Sequence, residues 1–434
     1  MEDPSEAGRN MEKVQAPELD KQTCLRMGLL LLLGSVLYFC TNLQRVAIPG
    51  SIFNELQKDL SLTAAQVTSF GAVFMYIYAV SQLFVGLLTD SIGGIRVLLT
   101  GAILFSIGSI LFPLAPNLTL LYISRGFVGF GASMFYVSLV QIAAQAFPKQ
   151  FTVLMGWFLL TGCLGGITAN TPLVFCVQQI GWIKTMLLVG VITAVAGILV
   201  ILTGFFLPKS KMQKIRFNFN TFPEVLKNRN NLLLYTILGL CFGIYYVIHT
   251  AVGKKFLEDF CRMESAKAAA ILSGMGIMSG AASFLCVYIN RMLKGRCKPF
   301  FQMAAVMTTL GALLISIFTF FEIRSVIIVW LFWILSFVSN IAPINLTVLR
   351  DLNKQEYLGT AVSCGNAFAY IMVAVLGSAS GFFMDLFPPN VINGVPVYGR
   401  MSYFSLFLFL FILSLPAFFC AFRLPETGLK KQEK

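Results

Sequence analysis

Long apolar stretches alternate along this chain with short polar breaks, and the length of the stretches decides what they are. A membrane-crossing helix needs about 20 consecutive apolar residues. By that measure the sequence predicts twelve spans, near 28–50, 64–88, 95–115, 119–146, 152–176, 183–207, 231–253, 265–289, 299–321, 326–349, 358–385 and 402–424. Residues 1–27 are polar and mixed in charge, and read as a disordered tail. Twelve spans argue against taking the first apolar run for a cleaved leader. The stretch 208–230 is the longest interior polar segment and separates six spans from six. The expected organisation is a tail at 1–27, a six-helix half at 28–207, a linker at 208–230, a second half at 231–424 and a tail at 425–434.

Composition agrees with lipid burial. Charged residues make up 12% of the 434 and apolar ones 57%, with a mean hydropathy of +0.80. A soluble domain carries roughly twice that charged fraction. The net charge of +13 forms no single patch or arm, which excludes nucleic acid as the expected partner. Instead the basic residues fall between spans. With both termini placed on one side, 22 of the 32 Lys and Arg lie on that side and 8 on the other, while Arg45 and Arg125 fall within spans. Basic excess marks the cytoplasmic side. Both termini are therefore expected in the cytoplasm, with the plasma (inner) membrane as the expected home and an organelle membrane as the alternative.

Ten cysteines sit mostly inside apolar runs with no CxxC pair, and the chain has a single histidine. They read as small core residues, with no metal site, no cofactor and no enzyme chemistry expected. No phosphate-binding P-loop is present.

Two local patterns carry a family likeness. Between spans two and three runs Gly86-Leu87-Leu88-Thr89-Asp90-Ser91-Ile92-Gly93-Gly94-Ile95-Arg96. It resembles the G-x-L-x-D-x-x-G-x-x-R loop of the major facilitator superfamily, with Ser91 where a second arginine is frequent. Span four opens with Arg125-Gly126-Phe127-Val128-Gly129-Phe130-Gly131, similar to the family's R-x-x-x-G-x-G pattern. The resemblance implies an all-α membrane protein of twelve transmembrane helices in two pseudo-symmetric six-helix halves. It also implies secondary transport by alternating access, with Gly86, Asp90, Gly93 and Arg96 gating the cytoplasmic side. In physical terms, Gly86 would allow close helix contact and Gly93 with Gly94 a tight turn.

The residue that narrows the solute is Arg45. A guanidinium within a span costs about 2.5–3.5 kcal/mol on insertion scales, so it should face a wet cavity or a partner. Its position resembles the anion-handling branches of the superfamily, the organophosphate exchangers and the anion:cation symporters. Gln44 stands where those symporters commonly carry an acid. No Asp or Glu lies in the middle of a span; Asp90, Glu322 and Asp385 sit at span ends. Cations without acidic partners in a low-dielectric cleft would favour an anion. Arg45 is expected as the main anion ligand, with Arg125 assisting and His249 as a protonation switch. The competing readings are a snorkelling Arg45, an Arg125 satisfied by helix carbonyls, and a packing histidine. Tyr38, Asn42, Tyr245, Tyr246, Asn366 and Tyr370 are candidates for neutral polar contacts. Lys254 and Lys255 read as a solvated rim.

The expected function is transport of a small organic anion, a carboxylate or phosphate ester, by symport or exchange. The coupling ion is unassigned, with a proton as candidate. Alternatives are a carrier of neutral or zwitterionic nutrients (sugar, amino acid or short peptide) and a non-transporting membrane receptor or scaffold.

Overall fold

The computed structural model describes residues 20–207, 221–339, 341–354 and 357–427, and the side chain of Asp90 lies outside the described part. The first-half helices are α1 (Lys21–Ala47), α2 (Phe53–Leu60), α3 (Ala64–Ile92), α4 (Gly94–Leu114), α5 (Leu118–Ala146), α6 (Phe151–Thr168), α7 (Thr171–Ile180) and α8 (Trp182–Phe205). Those of the second half are α9 (Thr221–Lys227), α10 (Arg229–Val247), α11 (Gly253–Asp259), α12 (Ser265–Met292), α13 (Lys298–Phe320), α14 (Ile327–Ser339), α15 (Ala342–Leu352), α16 (Leu358–Asp385) and α17 (Arg400–Arg423). A two-stranded antiparallel hairpin, β1 (Asn390–Ile392) and β2 (Val395–Val397), joins α16 to α17.

Eleven helical segments among the described residues are long and apolar enough to cross a membrane. The fifth expected span is two pieces, α6 and α7, bent by 41° and passing the same test only together. Pro172 opens α7; a proline there has no N–H to continue the α6 ladder, which accounts for the bend. Many large apolar side chains face outward, among them Phe175, Phe205, Phe284, Trp330 and Phe419. That is the surface of a protein solvated by lipid.

Small residues let the helices approach. A β-carbon at Gly129 would lie 2.7 Å from Phe74 O, and one at Gly131 would lie 2.6 Å from Phe105 N. Both glycines belong to the span-four motif, which thus seats α5 against α3 and α4. Gly93 has φ +90° between α3 and α4, a turn that a residue with a β-carbon adopts only under strain. Gly86 behaves differently from expectation. A β-carbon there would meet nothing within 4 Å, so the close contact expected of it is not made.

Two faces of the bundle differ. On the terminal face, Arg26 donates to Phe206 O, Asn228 to Leu352 O, and Glu426 accepts from the N–H groups of Cys297 and Lys298. All of these stay within one half. On the far face the halves are tied together. Asp385, at the end of α16, accepts from Ala64 N and Ala65 N at 3.1 and 2.7 Å, so an acid of one half caps a helix N-terminus of the other. Asn54 donates to Glu258 at 2.7 Å, Gln57 to Tyr398 at 3.0 Å and Lys254 to Ser51 O at 3.2 Å.

Lys254 and Lys255 are the main correction to the expected rim. They are 2% and 0% exposed and pair with Glu258 and Asp259, both at 3.1 Å. The i,i+4 spacing places each acid one turn beyond its lysine, and packing between the halves removes the water that a rim would keep.

Candidate functional site

Arg45 lies two residues from the end of α1 and is reached by both halves. One guanidinium nitrogen donates to Asn42 Oδ1 on its own helix, and Nη1 donates to Tyr370 Oη of α16 at 3.4 Å. Its charge sits over the rings of Tyr78, Tyr246 and Tyr370 at 5.9, 5.5 and 5.8 Å, within the range of cation–π attraction. Neither lipid nor a carboxylate compensates it: no acid pairs with Arg45 among the described residues. Its Nε is buried without a hydrogen-bond partner, and so is Tyr246 Oη.

The aromatic wall extends beyond these contacts. Tyr78 meets Tyr370 edge to face at 5.0 Å, Phe242 meets Tyr246 and Tyr370 at 5.1 and 5.9 Å, and Tyr38 meets Tyr136 at 5.5 Å. Tyr78, Tyr136 and Phe242 escaped sequence reasoning, because an aromatic in an apolar span looks like any packing residue. Gln44 turns away, donating to Ser109 Oγ at 2.8 Å, so it is not a neighbour of the charge.

His249 stands in a turn widened to π geometry, Ile248–Val252, between α10 and α11. Such turns arise where a helix re-aims side chains, often at functional sites. The imidazole stacks on Tyr245 at 5.7 Å and meets Tyr246 at 6.3 Å. Nε2 lies 3.2 Å from Leu272 O; a carbonyl only accepts, so Nε2 carries a proton and donates. Nδ1 has no partner. Tyr246 therefore touches both Arg45 and His249 and connects the two.

Arg125 is placed elsewhere. It is fully buried, donates Nε to Phe70 O at 3.3 Å and Nη2 to Ile48 O at 3.4 Å, and lies 4.9 Å from the centre of the Phe74 ring. Its guanidinium fastens the end of α1 to α3. The structure does not bring it into the tyrosine wall, which corrects the expected pairing of two arginines on one ligand. The cause is backbone supply: the carbonyl of Ile48, beyond the end of α1, and a second lone pair on the α3 carbonyl of Phe70 accept from it. Asn366 is exposed one turn from Tyr370 on α16, and no hydrogen bond joins it to Arg45. Of the loop motif, Arg96 is exposed on the terminal face, and the side chain of Asp90 lies outside the described residues.

Towards the far face the space beyond Arg45 narrows to a cavity of about 10 Å³ between Pro49, Thr68, Gly71, Val247, Thr250 and Gly377. That is room for about one water. Arg45, Tyr38, Tyr136, Phe242 and Tyr370 are only half-buried, in contrast to the closed shell beyond them.

The described residues hold no cluster of three or more His, Cys, Asp or Glu suited to a metal ion, and all ten cysteines are free.

Among known proteins, the chain is similar to the riboflavin transporter RibZ of Clostridioides difficile, with 26% identity over 194 residues, 43% of this chain and 41% of that protein. It is also similar to the sialic acid transporter NanX of Escherichia coli, with 21% identity over 243 residues, 54% of this chain and 58% of that protein. The matches thus span about half the length of these curated relatives. In three dimensions it shares the fold of a bacterial homologue of the human lysosomal transporter Spinster, with a TM-score of 0.71 and 16% identity over 91% of this chain and 97% of that one. The model of the Major Facilitator Superfamily matches residues 31–375, most of the membrane body. With that match over an all-helical bundle of eleven to twelve candidate spans, the chain is a multi-pass membrane protein that belongs to the Major Facilitator Superfamily.

Proposed function

We propose that the chain is a secondary carrier that moves a small organic anion, a carboxylate or phosphate ester, by alternating access between its halves, in symport or exchange. The observation that carries this is Arg45: a cation between the two halves, with a free Nε and no acidic partner among the described residues. A charge in that position needs a counter-ion, and a solute that supplies one is bound by both halves at once. Tyr370 and Tyr246 belong to one half and Arg45 and Asn42 to the other. The name of the sialic acid relative accords with an acidic solute.

In this reading the halves are residues 28–207 and 231–424, joined by a linker at 208–230. The terminal face is cytoplasmic, as the excess of basic residues there supports. Gly86, Asp90, Gly93 and Arg96 form its gate, while the far-face bonds of Asp385, Asn54 and Lys254 form the opposing one. His249 is the candidate proton carrier, through its unpartnered Nδ1.

The test is uptake into proteoliposomes. Arg45→Ala is expected to abolish saturable, anion-inhibited uptake, and Arg45→Lys to retain a small part, since an ammonium keeps the charge and loses the bidentate fork. Unchanged uptake in Arg45→Ala would remove the assignment.

A further inference from the structure

Charge and shape at Arg45 limit the solute further. Consider first how many negative charges the site can hold. Arg125 gives Nε and Nη2 to Phe70 O and Ile48 O and lies under the Phe74 and Phe112 rings, outside the tyrosine wall, with Nη1 buried and unpartnered. Lys254 and Lys255 are neutralised by Glu258 and Asp259. His249 donates Nε2 to a carbonyl and leaves Nδ1 as an acceptor when neutral. Among the described residues, Arg45 is then the cation at the tyrosine wall without an acidic partner, and a second negative charge on the solute would be buried unpaired, at high cost.

Next consider which donors are spare. Arg45 Nε is unpartnered, and Nη2, which shares an edge with it, has a second N–H beside the one it gives to the neutral Asn42 Oδ1. An Nε–Nη edge is the fork that takes the two oxygens of a carboxylate. Tyr246 Oη, on the ring 5.5 Å from the same guanidinium, is a third buried donor with no partner. Finally, the walls beside this fork are flat. Tyr38, Tyr78 and Tyr136 come from one half, and Phe242, Tyr246 and Tyr370 from the other. Aromatic rings prefer stacked or edge-on aromatic partners over aliphatic ones of the same size.

We propose that the site selects monocarboxylates with a flat aromatic body, the carboxylate on Arg45 and Tyr246 Oη and the ring against the half-buried faces of Tyr38, Tyr136, Phe242 and Tyr370. The proposal rests on the anion reading above and narrows it. Binding to the purified chain in nanodiscs, followed by calorimetry and saturation-transfer NMR, tests it with four probes. These are benzoate, cyclohexanecarboxylate, benzamide, and phenyl phosphate at about pH 8, where it is a dianion.

Benzoate is expected to bind about fivefold or more tighter than cyclohexanecarboxylate, and tighter than phenyl phosphate, with benzamide weakest. Tyr246→Leu should erase the preference for benzoate over cyclohexanecarboxylate. Tyr246→Phe, which keeps the ring and guards against a merely unfolded variant, should preserve that preference while weakening both acids. Equal binding of benzoate and cyclohexanecarboxylate overturns the aromatic selection, and phenyl phosphate binding as tightly as benzoate overturns the single charge. Both of those results leave the anion reading standing. Benzamide matching benzoate, Arg45→Ala leaving benzoate affinity unchanged, or no probe binding at all would overturn both.

Discussion

Two arginines within spans do different work, and the difference is in their partners. Arg125 gives two of its nitrogens to backbone carbonyls and packs on Phe74 and Phe112. Arg125→Ala removes both bonds and opens a cavity, at a cost on the order of 3 kcal/mol. We expect a clear drop in melting temperature in detergent. Arg45 is held mostly by ring faces and Asn42, so Arg45→Ala should change the melting temperature little while removing uptake. A melting drop in Arg45→Ala as large as in Arg125→Ala would show that both are structural. The sequence marked both residues, since any arginine in a span stands out. It could not separate them, because the carbonyls of Phe70 and Ile48 reach Arg125 only through folding.

At the scale of the helix, close approach of backbones decides which pairs form. Gly381 on α16 faces the start of α3, where an added β-carbon would lie 2.6 Å from Ala65 Cα and 2.7 Å from Ala64 O. Gly381→Leu should therefore wedge the far face open. Its expected signature is a longer distance between spin labels at Lys58→Cys and Lys267→Cys in a background without native cysteines. Labels reporting an unchanged distance would show that α16 and α3 tolerate the bulk. Gly381 is visible in the sequence, but glycine alone does not name the helix it touches. Gly86, in a motif where a contact was expected, makes none.

The halves are held together at the far face by a few polar bonds, which sets the balance between closed and open forms. The two Asp385 bonds to Ala64 N and Ala65 N are charge-assisted and contribute roughly 2 kcal/mol together. Asp385→Asn should shift the balance by more than about tenfold, seen as faster far-face labelling of a cysteine introduced at Ala72. Unaltered labelling would place the seal elsewhere. A pH effect belongs to the same face. Burial pushes the Glu55 carboxyl above its ordinary value, against the pull of Lys254 and with Glu258 and Asp59 adding to the rise. If opening restores water to Glu55, the closed form holds the proton more tightly. Acidification then favours closure, and this contribution is lost as pH rises through the raised value of the closed form. Glu55→Gln should flatten the pH dependence of the label distance above the ordinary carboxylate range.

Hydrophobic run length determined the membrane body in advance, because the bilayer thickness fixes how long a span must be. Spacing of glycine, acid and arginine in the loop pattern gave the family likeness, and the absence of mid-span acids singled out Arg45. These are local or one-dimensional properties. Tertiary structure decided the rest. It bent span five at Pro172, buried Lys254 and Lys255 against acids one turn away, and tied Arg125 to backbone. It also gathered Tyr78, Tyr246 and Tyr370 from three helices around one guanidinium. Such groupings depend on which faces of distant helices meet, and hydropathy within a lipid-buried helix hardly varies around its circumference. Where every face is apolar, only packing says which one looks inward.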